Sequence, residues 1–299
     1  MKDKYSNLLG SMITVFTPTF NRASLLPRLY KSLCIQTYRD FEWLVVDDGS
    51  SDHTKEILDQ FIKENKISIR YYYKTNGGKH TAINLGLDVA KGEIFFIADS
   101  DDVLLPDSLS IVNAKFTTIM NDETFAGVCG LDVDFKGNIV GSGLPKSVID
   151  SNSTDIRSTY HVKGDLKEVF KTEILREFRF PQIKGETFFP ELFIWNRIAT
   201  KYKIRYFNKA IYMVEYQATG LSSSIVRMRM QSPVASMMTY SEMITYNTSF
   251  KLKLRAIINY WRFWCCRKPG VAYPRIGWRW YWCCPLGVVM HIRDIFRQK

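Results

Sequence analysis

From Met12 onward, short runs rich in β-branched and aromatic residues alternate with stretches of helical spacing. MITVFT precedes a helix predicted from Arg22 to Leu33, FEWLVV one from Thr54 to Lys63, ISIRYYY one from His80 to Ala90, and IFFIA one that Pro106 opens. Asp52 stands where the cap of the second helix belongs. Strands that return through helical crossovers run parallel in one sheet, with helices covering both faces. The expected core is therefore α/β: a Rossmann-like, mostly parallel central sheet flanked by helices.

Such a sheet binds ligands beyond the carboxyl ends of its strands. Three polar clusters fall there: TPTFNR after the first strand, DDGSSD after the second, and DSDD after the fourth. NGGKH follows the third strand, its glycines permitting close backbone approach and Lys79 offering a cation to phosphate. The DSDD cluster is the most demanding, because Asp99, Asp101 and Asp102 emerge directly from the apolar run Ile94 to Ala98. A hard divalent ion is satisfied by one or two carboxylates together with diphosphate oxygens and water. The clusters together describe a pocket for a base, a ribose and phosphates. No GxGxxG follows the first strand and no GxxxxGK[ST] occurs, so neither a dinucleotide fingerprint nor a Walker loop is present.

The chain has 299 residues, 46% hydrophobic and 14% aromatic, enough for a substantial core. After about residue 125 the alternation gives way to hairpin-like pieces, with LDVDF and NIVG flanking a turn at 136–138, and a Ser/Thr-rich loop, DSNSTD. A helix from Glu191 to Lys201, strands KIRYF and AIYMVEY, and a helical region past TGLSSS, opened by Ser232 and Pro233, complete the expected pattern. Six cysteines include the adjacent pairs Cys265/Cys266 and Cys283/Cys284, which lack the spacing of zinc ligands and read as reduced apolar thiols.

The motifs VFTPTFNRASLLPRLYKSLCIQTYRDFEWLVVDDGSSDHT, NGGKHTAINLGL, KGEIFFIADSDDVLLPDSL and GETFFPELFIWNRIA, in that order, resemble the inverting family 2 glycosyltransferases of GT-A fold, especially bacterial enzymes that build surface polysaccharides. The resemblance spans about residues 11–221. It implies a glycosyltransferase domain over 1–225, with a nucleotide-sugar half at about 11–120 and an acceptor half at about 121–225. The donor it implies is a nucleotide-sugar, usually a UDP-sugar, lined by Thr17, Pro18, Asn21, Asp48, Asn76, Gly78, Lys79 and Asp99. Asp48 would contact the uracil, Asp99 the ribose or sugar, and Asp101 would hold Mg²⁺ or Mn²⁺ on the diphosphate, with Asp102 the alternative ligand. Where the family carries Glu-Asp at a helix start, this chain has Pro190-Glu191, with Arg197 at the family's spacing; Glu191 would be the base, and Glu186 its runner-up. The implied activity is hexosyl or N-acetylhexosaminyl transfer with inversion, to a glycan or polyprenyl-diphosphate-linked acceptor, in capsule, O-antigen or related synthesis. A non-catalytic nucleotide-sugar-binding partner of a synthase is the competing reading.

Residues 226–299 form a separate expectation, a helical amphipathic extension. Of 41 Lys/Arg and 30 Asp/Glu in the chain, residues 250–299 hold 11 and one, so the excess charge of +11 resides almost wholly in the tail. Five of the seven tryptophans lie there too. Written as a helix, residues 251–265 align Leu254, Ile257, Ile258, Trp261 and Trp264 on one stripe and Lys251, Arg255 and Arg262 on another, an interfacial pattern. The expected partner is an anionic membrane surface; nucleic acid, the other partner of basic aromatic surfaces, is not expected beside an acidic metal motif. The amino terminus lacks a secretory pattern, and the longest apolar run of the tail, about 13 residues, is too short to span a bilayer. The expectation is a cytoplasmic chain held peripherally on the inner face of the cell membrane.

Overall fold

The structure is a computed structural model that describes residues 11–215 and 221–297. Its elements, in chain order, are β1 (Ile13–Thr19), α1 (Leu26–Cys34), β2 (Phe41–Asp47), α2 (Thr54–Glu64), β3 (Ser68–Tyr73), α3 (Lys79–Val89), β4 (Ile94–Ile97), β5 (Val103–Leu104), α4 (Ser108–Phe116), β6 (Phe125–Val133), β7 (Val148–Ser151), α5 (Asp155–Ser158), β8 (Leu166–Lys171), α6 (Thr172–Glu177), α7 (Leu192–Ala199), β9 (Lys203–Met213), α8 (Leu221–Gln231), α9 (Pro233–Met243), α10 (Phe250–Trp264) and α11 (Cys284–Arg297). A short 3-10 segment, Trp278–Cys283, leads into α11. The chain divides into two compact units, one of residues 11–76, 81–179 and 201–215, the other of 77–80, 180–200 and 221–297 among the described residues.

The first unit is built on a mixed sheet in the order β3-β2-β1-β4-β8-β6-β9-β5, with β7 also paired to β9. The expected α/β core is its first half: β2 and β4 flank β1 in parallel, and β3 lies parallel to β2. Each of β1, β2 and β4 is buried along its whole length, which is why the sequence is apolar without alternation there. The strand ends coincide in register, Thr19 opposite Asp47 and Asp47 opposite Tyr73, so the polar clusters share one edge. Beneath them Trp43, Phe96, Leu29, Phe116 and Tyr212 fill a continuous core.

The second half of the sheet departs from expectation. KIRYF and AIYMVEY are one strand, β9, and the polar pair Asn208-Lys209 that reads as a break is a bulge: Cys129 pairs with Tyr206, but Leu131 with Ala210. The hairpin of LDVDF with NIVG reduces to a single bridge, Val133 to Ile139, around Gly137 at φ +83°. The last residue of AIYMVEY and the first two of TGLSSS lie outside the described residues; α8 begins within the latter stretch. The helix expected to open at Pro106 begins at Ser108.

In the second unit, α9, α10 and α11 pack around Met237, Tyr240, Ile257, Tyr260, Phe263 and Cys283. Two expectations are corrected here. The tail does not separate at residue 225, because segment 180–200 is fastened to its helices: Glu186 accepts the amides of Val234 and Ala235 at the start of α9 (2.8 and 2.9 Å), and the Arg197 guanidinium forks onto Glu242. The α10 stripe is not an outward surface, since Ile257 and Trp261 are buried in the bundle and Trp261 meets Trp264 edge-on at 5.4 Å. An amphipathic helix buries its apolar stripe against the nearest apolar partner, and here that partner is the unit's own core. No helix among the described residues is long and apolar enough to cross a membrane.

Candidate active site

The carboxyl edge of β1, β2 and β3 is knitted by short loops. Asn21, at φ +52°, donates its amide to Ser50 Oγ (2.8 Å) and accepts the Ser51 amide on its side chain (2.8 Å), tying the TPTFNR loop to the DDGSSD loop. Asp52 accepts from the Thr54 and Ala23 amides and so steadies the first turn of α2. Asp48 is buried; its carboxylate takes the Lys74 ammonium at 2.5 Å, and its carbonyl accepts from Asn76 Nδ2 at 2.8 Å. Gly49, at φ +89°, passes so near this loop that a Cβ would lie 2.8 Å from the Asn76 nitrogen. Asp48 and Asn76 are therefore brought together directly, as the motifs suggest, while the Asp48 carboxylate is held by Lys74, which sequence reasoning passed over.

Thr17 and Pro18 take different parts. Thr17 is fully buried and its hydroxyl accepts the Trp43 indole N–H at 2.9 Å, so its side chain belongs to the core and not to a base pocket. Pro18 follows it on the opposite face of β1, one position short of the strand end.

The acidic loop between β4 and β5 is held from three sides. The Asp99 amide donates to Tyr212 Oη (2.7 Å), the Asp101 carbonyl accepts from the Arg28 guanidinium, and Asp102 Oδ1 accepts the Glu215 amide (3.2 Å). Arg28 also pairs with Glu215 at 2.7 Å and lies over the Phe135 ring at 4.5 Å, so one side chain of α1 clamps the loop. Asp99 and Asp101 are half-buried, whereas Asp102 is buried. Burial pushes the Asp102 carboxyl up to about 7, helped by the charges of Asp99 and Asp101 and opposed by Lys167. Asp132, at the end of β6, is likewise raised to about 7 by burial against the pull of Lys167, and its Oδ1 has no hydrogen-bond partner among the described residues. Lys167 itself sits over the Tyr212 ring at 3.7 Å. The loop thus separates a buried acid, Asp102, whose work is structural, from two that reach the edge.

This donor set fits a divalent cation only in part. The carboxylates of Asp99, Asp101 and Asp102 are near enough to repel, which a cation relieves, yet among the described residues no group of three or more His, Cys, Asp or Glu side chains could hold a metal unaided. The remaining ligands would have to come from a bound diphosphate and water, which is how magnesium-like ions are usually held.

In the second unit lie Gly78, Lys79, Glu186 and Glu191. Gly78 has φ +92°, and a Cβ there would lie 1.7 Å from the Thr187 carbonyl oxygen, so only glycine fits. Lys79, the first residue of α3, pairs with Glu191 at 2.8 Å. Glu191 is the N-terminal cap of α7 by position, with αR backbone, and its side chain is one-third exposed. Glu186 is different: both carboxylate oxygens are taken by α9 amides, and burial still pushes its pKa up. It is a helix cap and not a base. Sequence reasoning missed Lys74, Arg28, Tyr212 and Lys167; only Lys74, two residues before Asn76, offered a local signal.

Residues 14–135 match the family model for glycosyl transferase family 2. The chain is 33% identical over 205 residues to the GalNAc(5)-diNAcBac-PP-undecaprenol beta-1,3-glucosyltransferase of Campylobacter jejuni, covering 66% of this chain and 62% of that protein. It is 31% identical over 134 residues to the chondroitin synthase of Pasteurella multocida, covering 44% of this chain and 14% of the synthase. The chain thus spans less than two thirds of the length of these relatives. Among solved structures, Staphylococcus aureus TarS 1–349 in complex with UDP-GlcNAc superposes with a TM-score of 0.61 at 21% identity, covering 85% of this chain and 72% of that one. The mannosyltransferase PcManGT of Pyrobaculum calidifontis, in complex with GDP-Man and Mn²⁺, gives 0.57 at 19% identity over 95% of this chain and 74% of that one. Residues 14–135 carry a glycosyl transferase family 2 domain, and the fold around it is the GT-A fold of these solved structures.

Proposed function

We propose that this chain is a glycosyltransferase that transfers a hexosyl or N-acetylhexosaminyl group from a UDP-sugar, with inversion, to a hydroxyl of a glycan or polyprenyl-diphosphate-linked acceptor during cell-surface polysaccharide synthesis. The observation that carries the reading is the acidic loop fixed at the carboxyl edge of β4 inside a family 2 domain. Support for the donor and acceptor classes comes from the UDP-GlcNAc bound by TarS and the undecaprenol-linked substrate in the name of the Campylobacter relative. The donor site in this proposal is Pro18, Asn21, Asp48, Asn76, Gly78, Lys79 and Asp99.

Asp101 is the carboxylate that would hold Mg²⁺ or Mn²⁺, and Asp99 would bond the ribose or sugar. When bound, such an ion neutralises charge on the departing diphosphate. The chain's own residues do the rest. Glu191 accepts the proton of the acceptor hydroxyl as that oxygen bonds the anomeric carbon and the bond to the diphosphate breaks, so an α-linked donor yields a β-glycoside. Lys79, paired with Glu191, orients the carboxylate. Peripheral attachment to the inner face of the cell membrane belongs to the same reading, because a polyprenyl-linked acceptor resides there and the tail is basic and aromatic.

The test is turnover of a panel of UDP-sugars with Mn²⁺, comparing wild type with Asp101→Ala and Glu191→Gln, and the anomeric configuration of the product by NMR. Each variant is expected to lose about a hundredfold or more in kcat. Undiminished transfer by either removes that residue from the mechanism, and a retained anomeric configuration overturns single displacement.

A further inference from the structure

The α10 stripe is consumed inside the second unit, yet the unit leaves a different apolar surface uncovered. Gly287 of α11 lies so close to α10 that a Cβ would meet the Trp261 Cβ at 2.3 Å and the Arg262 amide nitrogen at 2.8 Å. Seven residues on, the buried Asp294 accepts the Arg262 guanidinium, Oδ1 at 2.7 Å. These two contacts fix which side of α11 turns inward, since residues seven apart share a helix face. The opposite side then carries Val289, Ile292 and Phe296, spaced at three and four, and their exposures are 65%, 47% and 71%. The 3-10 turn that feeds α11 adds Trp278 at 86% and Trp282 at 59%. α11 is thus packed with its polar anchor inside and its aliphatic face out, the reverse of an ordinary surface helix.

We infer that this face, α11 with the preceding 3-10 turn, is where the enzyme seats on an anionic lipid surface. The inference rests on the membrane attachment proposed above and names the residues that make it. Charge selects the occupant. Arg275, Arg279, Arg293 and Arg297 are all exposed on the same segment, and the only acid between residues 250 and 299, Asp294, is buried against Arg262. A second copy of the chain seated on this face would bring arginines against arginines with no exposed acid in the segment to offset them. Nucleic acid would satisfy the arginines, but it gives Val289, Ile292 and Phe296 nothing to bury against. A bilayer interface satisfies both sets: acyl boundary for the aliphatics, headgroup phosphates for arginine, and the depth between them for tryptophan.

The test uses the full chain, co-sedimented with vesicles of phosphatidylcholine alone and of phosphatidylcholine with phosphatidylglycerol. Wild type is expected to bind the anionic vesicles and not the neutral ones. Val289→Glu/Phe296→Glu should weaken that binding about tenfold or more, and each of Arg293→Gln and Arg297→Gln about fivefold. Transfer to a soluble acceptor should be unchanged in all of them, because these positions are exposed and outside the active site. Wild-type binding that survives Val289→Glu/Phe296→Glu overturns this surface while leaving membrane attachment standing. Failure of wild type to bind either vesicle overturns both, with transfer to the soluble acceptor still deciding the catalytic reading separately. A concentration-dependent dimer that the same double variant dissolves, or RNA binding that replaces lipid binding, also overturns it.

Discussion

Asp132 shows how much a single buried carboxyl can cost in this fold. It is 4% exposed, one of its oxygens has no partner among the described residues, and Lys167 offsets its charge only partly. The folded protein keeps the proton up to about pH 7, whereas an unfolded chain releases it near 3.9. Between those values the folded state binds more protons than the unfolded one, so this group's contribution to stability falls as pH rises through the window. Asp132→Asn is therefore expected to raise stability by about 1–3 kcal/mol near pH 8 and to give no gain near pH 4, measured by urea unfolding of the ligand-free protein at both. A gain of equal size at the two pH values would show that packing, not charge, is responsible. Little of this is legible in sequence. The DSDD acids and Asp48 announce themselves by following apolar strands, but Arg28, Tyr212 and Lys167 are ordinary letters in a helix and two strands; the long-range pairing of β8 and β9 with β4, β5 and β6 turns Lys167 and Tyr212 toward the acidic loop, and Arg28 reaches it from α1.

At the scale of elements, the sequence speaks where each strand is buried on both faces and stays quiet where pairing is irregular. β1, β2 and β4 are contiguous apolar runs between turn signals and are legible as strands. β8, LKEVFK, alternates weakly and follows a polar loop, so nothing marks it, and β9 reads as two strands because its bulge carries Asn208 and Lys209. The α10 stripe is legible as a stripe, but periodicity cannot say what covers it; α11 and its inward Gly287 do. The same limit applies to Glu186, which reads as a loop acid and is in fact the N-terminal ligand of α9. Two charge-assisted bonds to a helix start are a large share of that helix's anchoring. Glu186→Ala is expected to lower stability by about 1–3 kcal/mol and Glu186→Gln by about half as much, since the amide keeps one acceptor. Denaturant midpoints of the two variants check this. If glutamine were as damaging as alanine, the anchoring of α9 would come from the negative charge of Glu186 more than from its hydrogen bonds.

For the molecule as a whole, the second unit gathers pieces distant in sequence: segment 180–200 depends on α9 through Glu186 and Arg197. A chain ending after residue 225 would keep Phe188 and Arg197 while removing Ser232 and Glu242, to which they bond, so it should be insoluble or unfold at a markedly lower temperature than the full chain. Thermal scans of both proteins decide it, and a truncated form as stable as the parent would show that 180–200 folds without the tail. The pairing of β4 carries a different consequence, about time. Its neighbours are β1, long since synthesised, and β8, whose last residue is Lys171; the acidic loop after it closes only when β5 meets Met213 of β9 and Tyr212 receives the Asp99 amide. During translation the loop must therefore wait, unenclosed, until more than a hundred further residues have left the ribosome, because non-local strand pairs cannot form before both partners exist. Ribosome-bound chains stalled with residue 171 exposed should still be cleaved by protease between β4 and β5, and those stalled well past residue 213 should resist; protection at the earlier length would mean that the loop acquires its shape without β9.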